Sequence, residues 1–150
     1  MFRNTDSVNL KLDEERTKKA GEAIYEITMI GEPLQFDLGI VSYQPNKHYF
    51  SDLGSTPLGI GKDTYLFSYL IHDSAYQQRG LYVYSLKSGV FLFHAMSRPE
   101  IDCLFREMII EEGALRGRPT RAILLAPLMW GMVRLCGWSH WNRKRKRSKQ

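Results

Sequence analysis

One short stretch, Tyr69–Tyr76, places three chemistry-bearing side chains on a single predicted helix. His72 and Tyr76 are four residues apart, so on a helix they share one face, a turn from each other. Asp73 lies about 100° further round the same helix. A carboxylate among apolar neighbours is costly to bury unless it is paired or holds a cation. The stretch therefore predicts a small polar site.

Asp102 lies on the next predicted helix, where it could face His72. A hairpin predicted over residues 82–94 separates the two helices and allows an antiparallel return. A histidine oriented by a carboxylate can take a proton from water, because the carboxylate fixes the tautomer and stabilises the imidazolium. Tyr76 could hydrogen-bond Asp102 and hold it in place. The same residues equally fit a buried polar network that joins two helices, so both interpretations stay open.

The loop before the first of these helices, residues 51–62, contains three glycines and a proline. Such a segment forms neither a regular helix nor a long strand, and its backbone groups are free to contact a ligand. Backbone carbonyls from this loop, together with Asp73, are hard oxygen ligands of the kind that calcium takes. Asp52, at the start of the loop, is a further ionisable candidate.

The pattern around these residues predicts an α+β fold. Apolar alternation predicts three strands, over residues 24–30, 34–41 and 48–50, which form a small N-terminal antiparallel β-region. Asp63 or Thr64 would cap the helix that carries His72, and Gly80 would end it. The hairpin strands are predicted over residues 82–86 and 90–94. This arrangement gives a two-helix core with an intervening β-hairpin.

Two more helices are predicted after the hairpin. Ser97 and Glu100 form a capping-box pattern, which predicts a helix that ends at Gly113. A last helix, from about residue 117 to residue 137, is apolar nearly all round, and Pro127 should kink it. An all-round apolar helix is usually core, although three tryptophans and a following basic segment also fit a helix that lies on a membrane surface.

Charge divides the chain into a nearly neutral body and a basic tail. Residues 1–21 are predicted as a polar arm, loose or with a short helix, residues 22–141 as one globular domain, and residues 142–150 as the tail. The net charge is +5, but without the six basic tail residues 15 basic residues face 16 acidic ones. A basic tail can bind nucleic acid, anionic lipid or an acidic partner, or can simply be a solvated end. The tail's positive run is Arg143, Lys144, Arg145, Lys146 and Arg147.

The cysteine pattern and the character of the N-terminus indicate the compartment in which the protein is expected. The two cysteines, Cys103 and Cys136, have no metal-ligand spacing and cannot form a disulfide framework, so a reducing compartment is favoured. The N-terminus lacks the apolar region of a signal peptide. The longest uncharged apolar run, residues 122–133, is too short to span a bilayer.

Four segments, Ser51–Pro57, His72–Tyr76, Ser97–Phe105 and Val133–Trp138, together resemble a domain family of unknown function that is common in phages and prophages. The family pattern is roughly D-F-A-S-x-P, H-D-x-L-Y, S-x-x-E-A-D-x-x-F and V-R-x-x-G-W, and residues 22–141 carry all four motifs in order. Leu53, Gly54 and Ala75 depart from the pattern, and the segment 81–96 is longer. The resemblance implies a phage or prophage origin, with the host cytoplasm or the virion as location and other phage proteins as partners. It also adds Asp52 and Ser55 as candidate site residues.

The order of site residues also resembles phospholipase A₂. That family has an H-D-x-x-Y helix, a β-wing, a helix whose aspartate orients the histidine, and an upstream glycine-rich calcium loop. The resemblance implies that His72 is the base, that Asp102 and Tyr76 orient it, and that Asp73 binds calcium with the backbone of Gly59 and Gly61. The family's fuller Y-x-G-x-G loop and its cysteine beside the His-Asp pair are missing here.

Three functions are therefore compatible with the sequence. The first is a calcium-assisted ester hydrolase in which His72 activates water. The second is a non-catalytic virion or accessory protein in which the His-Asp-Tyr-Asp set is a structural network. The third is a metal-dependent phosphohydrolase that uses His72 and Asp73. It ranks last, because it needs another upstream histidine and only His48 is near.

Overall fold

The chain is an α+β protein, as predicted. A computed structural model describes residues 1–53 and 65–148, and the side chains of 136–140 and 142–148 lie outside the description. Its strands are β1 (Phe2–Arg3), β2 (Val8–Leu12), β3 (Tyr25–Met29), β4 (Gln35–Leu38), β5 (Val41–Gln44), β6 (His48–Ser51), β7 (Gly80–Ser85) and β8 (Val90–Ala95). Its helices are α1 (Glu14–Ala20), α2 (Leu66–Gln78), α3 (Arg98–Leu115) and α4 (Pro119–Ser148), with a 3-10 turn over Thr5–Ser7.

The strands form two antiparallel sheets. The larger has the order β1-β4-β5-β7-β8, and the smaller has the order β2-β3-β6. The predicted hairpin is β7–β8, and it is joined to the N-terminal strands because Tyr43 on β5 pairs with Val83 on β7. The predicted N-terminal β-region is therefore divided, because β4 and β5 share a sheet with the hairpin while β3 and β6 belong to the smaller sheet, which the sequence pattern did not indicate.

The first twelve residues pair with the rest of the fold. Phe2 on β1 is buried and lies opposite Phe36 on β4, while β2 pairs along its length with β3. A short helix was expected near here and is present as α1, where the Asp13 side chain accepts from the Arg16 backbone N–H. The two strands before it were not expected, because they are short or mostly exposed and lie among charged residues.

Helices α2 and α3 pack together, and α2 contacts β7 of the larger sheet and β6 of the smaller one. Every residue of α2 from Ser68 to Tyr76 is buried. The predicted capping box at the start of α3 is confirmed, with Ser97 and Glu100 bonded reciprocally. The predicted end at Gly113 is wrong, since α3 runs on to Leu115 and the left-handed residue that follows it is Gly117, at φ 72°.

Gly113 lies instead inside α3, at its crossing with α4. A Cβ built on Gly113 would come within 2.0 Å of the Ala122 Cβ, so the glycine permits close approach of the two helices. Ala122, Ala126 and Met129 form the buried side of α4. The helix continues through the basic segment to Ser148, beyond the predicted end at residue 137. In the described part of the chain, no helix is both long enough and apolar enough to cross a membrane.

Candidate functional site

His72 and Tyr76 on α2 and Asp102 on α3, which were predicted to face each other, do meet between the two helices. The Asp102 Oδ1 atom lies 3.2 Å from His72 Nε2 and accepts a hydrogen bond from Tyr76 Oη at 2.5 Å. The rings of His72 and Tyr76 are stacked with centroids 4.2 Å apart, as their one-turn spacing on α2 requires. The pairing predicted from sequence is therefore present in the folded chain.

Two arginines complete the site, and sequence reasoning missed both. Arg134 on α4 donates from Nη1 to Asp102 Oδ2 at 3.2 Å, and the Arg98 Nε lies 3.6 Å from the same oxygen. Arg98 also donates to the carbonyl oxygens of Val133, at 2.8 Å, and Arg134. Arg98 precedes Asp102 by four residues on one helix, and this spacing could have predicted the pair. Arg134 is the arginine of the V-R-x-x-G-W motif, which was the one signal that could have pointed to it.

Asp102 is fully buried, and its neighbours keep it ionised. Burial alone would raise the pKa of Asp102, but hydrogen bonds from His72, Tyr76 and Arg134 hold it below the ordinary value of an aspartate. Burial, and next the hydrogen bond to Asp102, raise the pKa of the Tyr76 phenol well above its ordinary range. Tyr76 therefore remains a hydrogen-bond donor at neutral pH.

Aromatic rings enclose the site on two sides. The His72 ring lies 4.5 Å from the Phe105 ring on α3, and its side chain is 11% exposed. Trp141 on α4 packs edge-on against Tyr76 at 5.2 Å and lies beneath the Arg79 guanidinium at 4.1 Å. The polar cluster consequently joins α2, α3 and α4 at one point, and we call it the three-helix network: His72, Tyr76, Arg98, Asp102 and Arg134.

Asp73, the predicted calcium ligand, has contacts of its own beside this network. Its Oδ2 accepts from Gln77 Nε2 at 3.3 Å, and the same nitrogen donates to the Phe50 carbonyl on β6 at 2.5 Å. The end of β6, where Asp52 follows Ser51, therefore lies beside the Asp73 turn of α2. Asp73 is buried and Asp52 is half-buried.

The remaining predicted site residues, Ser55, Gly59 and Gly61, lie outside the described residues. Within residues 1–53 and 65–148, no three or more His, Cys, Asp or Glu side chains are grouped so that they could hold a metal ion. The calcium loop thus stays a prediction that rests on Asp73 and the undescribed backbone.

A further buried carboxylate, Glu112 on α3, was missed by sequence reasoning. It accepts from the Ser68 backbone N–H and hydroxyl, both at 2.8 Å, and from the Phe67 N–H at 3.2 Å. Arg116 donates to it at 3.0 Å. Burial raises the pKa of Glu112 by more than these bonds lower it. Glu112 thereby caps the N-terminus of α2 from a different helix.

A cleft of about 400 Å³ lies elsewhere, between the larger sheet and α3. Its walls include Leu38, Val83, His94, Glu100 and Cys103. His72, Tyr76 and Asp102 do not line it. The cleft is therefore separate from the three-helix network.

Comparisons of the chain with protein-family models, with curated proteins and with solved structures found no match. The chemistry must therefore be argued from the site alone. An oriented His-Asp pair can accept a proton from water, but Asp102 here divides its charge between the histidine and two arginines. Because one carboxylate is shared in this way, the geometry favours a structural role, in which the network holds the three helices together.

Proposed function

We propose that this chain is a phage- or prophage-encoded accessory protein, non-catalytic, that binds an anionic membrane surface through α4. The phage origin rests on the four-motif resemblance of residues 22–141. The membrane surface rests on one observation, which is the row of exposed leucines on the side of α4 opposite its buried side.

Leu124, Leu128 and Leu135 form this row, and we call it the leucine row. They are 72%, 52% and 85% exposed, and at 100° per residue they fall within about 40° of one another. Ala122, Ala126 and Met129, which face the core, fall roughly opposite. Since large exposed apolar surfaces mark interaction sites, the leucine row calls for an apolar partner.

The charge of the same segment indicates which partner it is. Residues 113–150 contain ten basic residues and no acidic one, whereas residues 1–112 contain 11 basic and 16 acidic residues. A helix that combines exposed leucines and an excess of cations is typical of one that lies in the plane of an anionic membrane interface. Each basic residue near such a surface contributes about 1 kcal/mol of attraction.

Other partners explain only half of this pattern. Nucleic acid would use the positive charges, but phosphates and base edges give exposed leucines little to bind. A second α4 would bury the leucines but would bring together two strongly cationic helices. An anionic membrane surface accounts for both properties.

The three-helix network has a defined role in this proposal. Arg134 and the carbonyls of residues 133 and 134 fix the middle of α4 to Asp102 and Arg98, and Trp141 is packed on α2. The leucine row is therefore held outward on a fixed helix. The cytoplasmic face of the host membrane, which carries anionic lipids, matches the location expected from the sequence.

Vesicle binding tests the proposal. We expect the parent to bind phosphatidylcholine vesicles that contain phosphatidylglycerol, and to bind pure phosphatidylcholine vesicles much more weakly. Leu124→Gln with Leu128→Gln should weaken binding more than tenfold, because each buried leucine contributes about 2 kcal/mol. Ile30→Gln with Ile40→Gln is the matched control, since both residues are exposed and lie away from α4. If the two double variants bind alike, the proposal is wrong, and DNA binding retained by both would favour nucleic acid instead.

A second candidate is the calcium-assisted ester hydrolase. It is supported by the orientation of His72 Nε2 by Asp102, with Tyr76 on the same carboxylate oxygen, in the order that the phospholipase A₂ resemblance implies. Thermal melting with added calcium, on the parent and on Asp73→Asn, tests its metal. A calcium-induced rise in the parent's melting temperature alone supports it, provided that phospholipid is hydrolysed and His72→Gln abolishes the hydrolysis. If neither protein responds to calcium, the candidate fails, and vesicle binding is unaffected by that result.

A further inference from the structure

The β8 strand forms one edge of the larger sheet. Within the described part of the chain, β7 is the one strand paired with it, and its other side is open. Its sequence, Val-Phe-Leu-Phe-His-Ala, contains no proline and no Lys, Arg, Asp or Glu. Edge strands of soluble proteins usually carry such residues, because an unprotected row of backbone N–H and C=O groups is a template for another strand. β8 lacks this protection.

Both faces of the β7–β8 hairpin are apolar near this edge. On one face, Tyr82 lies 5.7 Å from Phe93 and Tyr84 lies 5.3 Å from Phe91. On the other face, Val90 and Leu92 are each about half exposed. A partner that adds a strand here would cover apolar side chains on both faces as well as the backbone edge.

We propose that β8 pairs antiparallel with β8 of a second copy of this chain. The choice of a second copy follows from the charge of the strand, because β7 and β8 carry no charged side chain that would repel a copy of themselves. The proposal is independent of the membrane surface proposed for α4.

The geometry of two-fold pairing fixes which residues can meet. Residues opposite each other across an antiparallel pair lie on the same sheet face, and a two-fold axis perpendicular to the sheet keeps each residue on its own face. Each even-numbered residue of β8 therefore lies opposite an even-numbered residue of β8 in the other copy, and each odd-numbered residue lies opposite an odd-numbered one. The pairing centred on Leu92 places it opposite Leu92 of the other copy, and places each Phe91 opposite a Phe93.

This register joins the aromatic residues of the two hairpins. Tyr84 and Phe91 are neighbours across β7–β8, as are Tyr82 and Phe93. The dimer therefore places four rings in each row across the junction: Tyr84 and Phe91 of one copy, then Phe93 and Tyr82 of the other. Centring on Phe93 instead would leave each Phe91 opposite Ala95. Cross-strand aromatic pairs stabilise sheets, so the Leu92 register is favoured.

Sedimentation across a dilution series tests the association. We expect the parent to be a dimer that dissociates on dilution, and Leu92→Lys to be a monomer, since it would place two lysines directly opposite each other. Ile40→Lys, at an exposed apolar residue away from β8, should remain dimeric. Circular dichroism and thermal melting check that both variants are folded.

Cross-linking tests the register. In a background with Cys103 and Cys136 replaced by serine, Leu92→Cys should form a disulfide-linked dimer with oxidised glutathione, whereas Val90→Cys, opposite His94, should not. A dimer that persists in Leu92→Lys, or that cross-links equally well at both positions, overturns the proposal. A parent that is monomeric throughout also overturns it, and leaves a strand of a different protein as the occupant of the edge.

Discussion

Asp102 is a single carboxylate that receives contacts from three helices. His72 and Tyr76 come from α2, Arg98 from its own helix α3 and Arg134 from α4. A buried carboxylate with two arginines has its charge compensated, and loss of that carboxylate leaves the arginines without their counter-charge. The stability of the helical layer should therefore depend on this one residue.

Replacing Asp102 by asparagine tests this dependence. We expect Asp102→Asn to lower the free energy of unfolding by about 3 kcal/mol at pH 7, because two partly buried arginines lose the buried counter-charge between them. Denaturant unfolding measures the change. Asp6→Asn, at an exposed aspartate, is the control and should be within about 0.5 kcal/mol of the parent.

The same variant should differ from the parent in its response to pH. The folded-state pKa of Asp102 is lowered, so its stabilising contribution is present above the unfolded pKa of about 3.9 and is lost as the pH falls through the lower folded value. The stability difference between parent and Asp102→Asn should shrink below pH about 4. Glu112 titrates in both proteins and cancels in this difference. A difference that is constant from pH 2 to pH 7 would contradict the role of the ionised carboxylate.

Glu112 is the second residue on which the helical layer depends. Glu112→Gln retains the shape but removes one acceptor and the charge facing Arg116, and it turns an amide group toward the N–H groups of Phe67 and Ser68. We expect a loss of about 1–3 kcal/mol in unfolding free energy. Glu111→Gln, one residue earlier and half-exposed, is the matched control and should have little effect. Equal losses in the two variants would rule out the cap.

At the scale of elements, local signals in the sequence were reliable and distant ones were not. The capping box at Ser97 and Glu100 and the spacing of His72 and Tyr76 were readable, because each acts within one turn of helix. β1 was missed because two residues carry no readable period, and β2 was missed although Val8, Leu10 and Leu12 alternate with polar residues, because the charged residues around it dominate the segment. The contact of Arg134 was missed because its partner is 32 residues away.

Gly113 illustrates the same limit and gives a prediction for the contact between α3 and α4. A glycine after an apolar run predicts a helix end, but Gly113 is a close-approach position against Ala122. Gly113→Ala should therefore lower the free energy of unfolding by about 1–3 kcal/mol, because the added methyl group has no space. Thermal or denaturant unfolding measures it.

Gly131 in α4 provides the control for that experiment. A Cβ there meets nothing within 4 Å. Gly131→Ala should raise stability by about 0.5–1 kcal/mol, as alanine does in an exposed helix. If Gly113→Ala also stabilises the protein, the two helices can separate enough to accept a methyl group, and the close crossing has no energetic role.

At the scale of the whole molecule, the basic part of the chain begins earlier than residue 142, the start of the predicted tail. The basic residues were first assigned to a tail of nine residues, yet α4 carries them on a helix that is continuous with the leucine row. Residues 113–150 contain no acidic residue, so every charged residue of α4 is basic. The fold class was predictable from the sequence, while this continuity was not.

Removal of residues 142–150 separates charge from apolar contact. Trp141 and Arg134 remain, so we expect the melting temperature to change little. Binding to phosphatidylglycerol vesicles should fall more than tenfold, and its dependence on salt concentration should weaken, because six positive charges are lost. Vesicle sedimentation at low and high salt measures both quantities. Unchanged binding would show that the tail is only a solvated end.

The long-range cap on α2 also has a consequence for the order of folding. Tyr65, at the N-cap position, makes no side-chain capping bond, and the acceptors for the first turn come from Glu112, 44 residues later than Ser68. The start of α2 therefore gains its acceptor only once α3 has docked. Amide protons in the first turn of α2 should become protected from exchange in the same kinetic step as those around Glu112, and not before.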